Sequence, residues 1–335
     1  MNTLPTTSRL DYMDLTKGVL VLLMVVYHSL NYSSEYYLAF RYFSFLPPSF
    51  IFISGLLIFE IYPEKYRNRR IEIYRRLWVR GGKLFALFVV LNIFAGPFTG
   101  KLQITSENLT LSNVSSAFFS LFVFGTGRSA VFEILLPIAY LLILSPLLLH
   151  ACSRRPWLIY GMSISVFVIC LWLNGTRWSS ETLNLVSAGM LGLAMGSLHL
   201  ASLAFLKSKH VLFLSIAAFV SYYPFSIHYG YSYSIQIVGA AVSVIMLLSV
   251  SVKIGNGFLW RGLMLLGKYS LLAYIIQIVI LQLIMRLAGR PAPGSSPFWM
   301  ELFGTLALMT LTIIGIDWLR ERSRLADSAY KWTLA

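Results

Sequence analysis

The chain has 335 residues, of which 57% are hydrophobic and only 12% charged, and its mean hydropathy of +0.72 lies far above that of a soluble globular domain. A formal charge of +14 raises nucleic acid as a partner, but in membrane proteins Lys and Arg gather in cytoplasmic loops, and their placement here follows that rule. The two cysteines, Cys152 and Cys170, fit neither a disulfide framework nor a metal site and read as packing residues.

Crossing ~30 Å of hydrocarbon takes about 20 apolar residues. On that criterion ten spans are predicted, at 16–33, 43–62, 83–98, 130–150, 157–173, 184–205, 211–228, 231–251, 268–287 and 298–319. The third and fifth are short, and Phe118 to Phe124 reads as an interfacial or re-entrant stretch. The opening MNTLPTTSRLDYMD has no charged region ahead of an apolar one, so no cleavable signal peptide is expected, and export begins with the first span. With the N-terminus inside, the cytoplasmic segments hold 21 of the 27 basic residues, eight of them between Lys65 and Lys83. The outer segments keep Arg41, Lys101, Arg128, Arg177, Arg286 and Arg290. This asymmetry predicts an all-α, polytopic transmembrane helix bundle of about ten spans with both termini cytoplasmic. The longest polar stretch, GPFTGKLQITSENLTLSNVSS, carries sequons at Asn108 and Asn113, which matter only in a eukaryotic secretory pathway. No internal repeat of the transporter kind is present.

The first span, DLTKGVLVLLMVVYHS, carries two groups that lipid does not favour, Lys17 and His28. They are eleven residues apart, three turns plus about 20°, so they share one face, separated by a rise of roughly 16 Å. With Lys17 at the inner boundary, His28 lies deep in the membrane or towards its outer half. Asp11 and Asp14 stand where carboxylates favour a helix start, and Asp14 can pair with Lys17 at i, i+3. Lys17 alone is equally an ordinary boundary lysine reaching for water. For His28 the alternatives are a hydrogen bond to a neighbouring helix or a role in a polar cavity.

RLDYMDLTKGVLVLLMVVYHS resembles the opening of membrane acyltransferase family 3, in which an Arg or Lys, ten residues and then His follow an Asp. PSFIFISGLLIF, with Ser54 and Gly55, is similar to that family's aromatic run into Ser-Gly. YRRLWVRGGKLFALF, with Arg76 and Arg80, resembles its Arg-x-x-x-Arg approach to the third helix. SAGMLGLAMGSL is similar to its small-residue helix, and LLGKYSLLAYIIQIVIL, with Tyr274, to its penultimate helix. There the family pattern ends in His and this chain has Gln277. GRSAVFEILLPIAY loosely echoes the family's Trp-containing segment and places Glu133.

The resemblance implies one integral-membrane acyltransferase domain over 1–335. Its expected reaction moves an acyl group, acetyl first, from cytoplasmic acyl-CoA to a hydroxyl of a surface or secreted polysaccharide or a lipid-linked glycan, in a bacterial inner membrane. It implies His28 and Lys17 as catalytic residues and Arg75, Arg76, Arg80 and Lys17 as the cations that hold the donor's phosphates. Glu133, Ser54, Tyr274 and Gln277 are the substrate-binding candidates. The expected partners are acyl-CoA, the acceptor and the bilayer, with no metal and no nucleic acid. His28 fits two chemistries, general base on the acceptor hydroxyl or transient acyl carrier, with Tyr27, Asn31, Glu35 or Glu133 as candidates to orient it. A carrier of lipid-linked sugar or of a small metabolite is the competing class, and succinyl or amine-directed transfer a further alternative. For the Arg residues the ordinary explanation is topology, for Gly189, Gly192 and Gly196 packing. His150 and His199 read as interfacial. His228 and the tyrosines around it suit either an acceptor vestibule or the aromatic belt.

Overall fold

The computed structural model describes residues 8–33, 41–65, 70–99, 118–125, 131–155, 157–198, 202–230, 232–254 and 257–333. The sequons at Asn108 and Asn113, His199 and Glu35 lie outside the described residues. Among those described, all regular structure is helical. In chain order the helices are α1 (Ser8–Tyr32), α2 (Leu46–Lys65), α3 (Arg70–Thr99), α4 (Leu135–Arg154), α5 (Trp157–Asn174), α6 (Glu181–Ser197), α7 (Leu203–Lys207), α8 (Lys209–Tyr229), α9 (Tyr233–Lys253), α10 (Phe258–Lys268), α11 (Ser270–Ala288), α12 (Ser296–Arg322) and α13 (Arg324–Thr333), with a π turn at Ser120–Phe124 between α3 and α4.

Eight of these are long and apolar enough to cross a membrane: α1, α3, α4, α5, α8, α9, α11 and α12. The protein is an integral membrane protein. Eight of the ten predicted spans coincide with these helices, and the two at 43–62 and 184–205 overlap helices that are too short or not apolar for long enough. In α2 the apolar part is Leu46–Glu60, and α6 is confined to 17 residues. Its start is fixed by Ser180, whose hydroxyl accepts from the Leu183 amide. The third predicted span is instead longer, because the helix starts at Arg70 and takes the basic segment into itself.

The chain forms two compact units, residues 1–50 with 201–335, and residues 51–200. In the first unit α1 packs against α9, α10, α11 and α12. Its tightest neighbour is α10, and glycine is the reason. A β-carbon on Gly18 would strike the Leu263 carbonyl, and one on Gly267 the Asp14 carbonyl, so the two backbones touch without side chains between them. Hydroxyls stitch other helices to α9. Thr16 Oγ1 lies 3.0 Å from Ser251 Oγ, and Ser49 Oγ 3.2 Å from Ser243 Oγ. Thr16 and Ser49 also donate to the carbonyl one turn back, Tyr12 and Phe45 respectively, so both hydroxyls are satisfied in a low-dielectric setting.

Next to the contact of Gly267 with Asp14, α13 folds back on α12. Arg320 donates to Asp327 Oδ1 from Nε at 3.1 Å and from Nη2 at 2.6 Å, and from Nη1 to the Tyr269 hydroxyl at 2.7 Å. Tyr269 in turn donates to Asp317 Oδ1 at 2.5 Å, which Lys268 also reaches at 3.0 Å. Burial and the adjoining Asp317 carboxylate push the Tyr269 phenol up, while Lys331 and Arg320 hold the Asp327 carboxyl below its ordinary range.

In the second unit α3 lies along α4, and α6 contacts α2, α4 and α5. A β-carbon on Gly192 would meet the Phe52 carbonyl, and one on Gly55 the Gly189 carbonyl; this is the packing role expected of the small-residue helix. Neither Cys152 nor Cys170 is in a disulfide among the described residues, and Cys170 is buried with its Sγ 3.7 Å from the Leu183 carbonyl. The Phe118–Phe124 stretch forms the π turn. Its C-cap Gly125 adopts φ 60°, and its amide donates to the Ser120 carbonyl at 3.0 Å. Tyr140 and Ser180 hold the turn by donating to the carbonyls of Phe122 and Val123.

Candidate active site

His28 sits one turn before the end of α1, where a run of Val and Leu otherwise gives the helix its apolar faces. The residue is half-buried, but both imidazole nitrogens are sealed from the surface and neither has a hydrogen-bond partner. Aromatic rings surround it. The Tyr27 ring is 5.2 Å away edge-on, Tyr32 is stacked at 6.0 Å, and Tyr274 of α11 is 6.1 Å away, centroid to centroid. One turn beyond Tyr274, Gln277 is fully buried with both amide atoms unpartnered.

The third wall is α12, which packs against both α1 and α11. Its buried face is Phe298, Glu301, Leu302, Thr305, Met309 and Ile313. Two members of that face are polar. Glu301 is 4% exposed and Thr305 0%, and Glu301 Oε1 and Thr305 Oγ1 have no partner. α12 thus carries an unpartnered carboxyl oxygen and hydroxyl, and α11 an unpartnered carboxamide, on helices that pack against the one bearing His28. Buried polar atoms are almost always hydrogen-bonded, yet four residues on these three touching helices, His28, Gln277, Glu301 and Thr305, hold six that are not.

The N-terminal half of α1 is closed differently. Lys17 pairs with Asp14 at 2.5 Å, as the i, i+3 spacing predicts, and both are half-buried. Its ammonium is therefore already neutralised by its own helix.

A family model described as an acyltransferase domain matches residues 10–321. The chain belongs to acyltransferase family 3. No curated protein and no solved structure matches this acyltransferase.

In the second unit of the acyltransferase, Arg76 and Arg80 are one turn apart on α3, within a helix and not a loop, and both are exposed, as is Arg75. Arg76 pairs with Glu72 at 2.6 Å. Trp78 donates to the Ile143 carbonyl at 3.0 Å, which anchors α3 to α4 so that the cationic stripe stays turned outward. Glu133 is half-buried in the turn ahead of α4. That turn is fixed by Asn92 of α3, whose Oδ1 accepts from the Val131 amide at 2.9 Å while Nδ2 donates to the Phe88 carbonyl at 2.9 Å. Asn92→Ala is expected to strand the Val131 amide and to lower stability by about 1–3 kcal/mol, measured by thermal unfolding in detergent. Ser54 is half-buried beside Gly55 on α2.

Within the first unit the fold thus sets Tyr274 against His28, with Gln277 buried one turn further along α11. Tyr27 adjoins the imidazole on the same helix, whereas Asn31 is exposed. His150 is exposed near the C-terminal end of α4, its ring 6.3 Å from Tyr74. Glu301 and Thr305 are not among the candidates read from the sequence. The signal was present, since Glu301 is the one acidic residue from Ser295 to Ile316, and a carboxyl inside a span marks a functional centre by the same rule that marks His28.

Proposed function

We propose that this acyltransferase moves an acetyl group from cytoplasmic acyl-CoA to a hydroxyl of a surface or secreted polysaccharide or a lipid-linked glycan, in a bacterial inner membrane. In this reading α2 and α6 complete ten crossings, both termini are cytoplasmic, and residues 1–335 act as one membrane domain. The observation that carries it is the sealed, unpartnered imidazole of His28, held between tyrosine rings on a helix that packs against the one bearing Glu301.

His28 takes the proton of the acceptor hydroxyl as that oxygen attacks the thioester carbonyl, the C–S bond breaks, and the CoA thiolate leaves and is protonated. Glu301 steadies the imidazolium formed in this step, while Thr305, Tyr274 and Gln277 hydrogen-bond the acceptor. Arg75, Arg76 and Arg80 hold the donor's phosphates as charge-assisted contacts, and Glu133 and Ser54 bind substrate. Lys17, paired with Asp14, contributes through that pair at the inner end of α1.

Membranes containing the protein, incubated with labelled acetyl-CoA and candidate glycans, should yield labelled ester. Accumulation of an unmodified glycan in sealed vesicles without label transfer would point to a carrier instead. Glu301→Gln is expected to lower kcat by roughly 10- to 100-fold with little change in KM, since it removes charge but keeps shape. Arg76→Ala and Arg80→Ala should instead raise the KM for acyl-CoA and leave kcat nearly unchanged.

A further inference from the structure

The match to the acyltransferase family ends at residue 321, and α13 lies beyond it. This helix is held at one roll angle. Its Asp327 accepts from Arg320 and pairs with Lys331 at 2.5 Å, and its Tyr330 ring lies 3.9 Å from the Arg320 guanidinium. Ser323, Ala326, Asp327 and Tyr330 are accordingly the covered side, all of them half-buried.

The opposite side is apolar. Leu325, Ala329 and Trp332 follow at i, i+4 and i+7, a single stripe on a helix, and Leu325 is 84% and Trp332 78% exposed. The chain reaches α13 directly from α12, a candidate span that runs to Arg322, so the stripe begins where the bilayer ends. Cations border it. Arg324 is exposed along its edge, and Arg322 stacks over the Trp318 ring at 4.2 Å. From Arg320 to Ala335 four basic residues face two acidic ones.

We propose that α13 is an in-plane anchor for anionic lipid: its Leu325–Ala329–Trp332 stripe enters the headgroup layer, and Arg322 and Arg324 take up lipid phosphate. An apolar stripe flanked by cations is the pattern that binds such a surface, and each Lys or Arg near an anionic leaflet strengthens binding roughly fivefold. The clasp of Arg320 on Asp327 fixes which side of the helix meets the lipid.

The test uses the full chain carrying Leu325→Cys in a Cys152→Ser background, where the remaining Cys170 is buried. The new thiol is labelled with an environment-sensitive fluorophore. The protein is placed in nanodiscs of phosphatidylcholine alone or mixed with phosphatidylglycerol. The expected result is quenching by brominated lipid and protection from aqueous iodide in the anionic discs, both weaker in the neutral ones. Arg322→Gln with Arg324→Gln should reduce the anionic preference about 30-fold. High salt should do the same to the unaltered chain, which covers the case of a variant that fails to insert. Equal iodide access in both lipids would overturn the proposal. So would protection that appears only as the protein self-associates, since the stripe would then be an interface between copies of this chain.

Discussion

His28→Ala should abolish acyl transfer while the protein inserts and folds normally. The imidazole makes no hydrogen bond that holds the fold, so its removal costs little beyond local packing. Loss of a positioned general base typically costs 10²–10⁴-fold in rate, about 3–5 kcal/mol of barrier. Labelled acetyl-CoA turnover measures the loss, and size-exclusion behaviour in detergent checks the fold. Turnover within a few-fold of the unaltered protein would sink the assignment. Label trapped on the protein before acceptor is added, and absent in His28→Ala, would mean that His28 carries the acyl group itself.

The second large effect is structural. Gly267→Ala places a methyl group inside the contact distance of the Asp14 carbonyl, and Gly18→Ala does the same at Leu263. Neither carbonyl can move without pulling a helix away, so each substitution should cost at least about 3 kcal/mol. A drop of roughly 5–10 °C in the unfolding midpoint is the expected reading. Gly262, on the same helix α10, has nothing within 4 Å of its would-be β-carbon. Gly262→Ala should therefore be neutral or stabilise by up to about 1 kcal/mol through helix propensity. Equal effects at positions 262 and 267 would refute the backbone contact.

Much of the fold is legible in the hydropathy, because a span must satisfy its own backbone hydrogen bonds and so writes itself as a long apolar run. What escapes that rule is short or amphipathic. The segment from 251 to 268 reads as a cytoplasmic connection, yet it contains α10, eleven residues that become the closest neighbour of α1. No window sized to a bilayer can register it. The basic residues read as a loop, whereas Arg76 and Arg80 lie in α3, because positive charge reports the side of the membrane and not the backbone conformation. At the site, His28 stands out as a polar residue in an apolar helix, and Tyr274 and Gln277 emerge from the resemblance of their helix to a family pattern. Glu301 required the packing of α12 on α1 and α11, which buries its carboxyl and leaves Oε1 without a partner.

The glycine contacts between α1 and α10 bear on how this enzyme can move. Side chains between helices act as bearings that let one slide or roll on another; two carbonyls pressed against two bare α-carbons do not. α1 and α10 therefore travel as a single stiff beam, and the first joint along it is the break at Tyr269, where α10 ends and α11 begins. α11 and α12, which also pack on α1, carry no such lock: α11 has no glycine, and Gly304 and Gly315 of α12 have nothing within 4 Å of a would-be β-carbon.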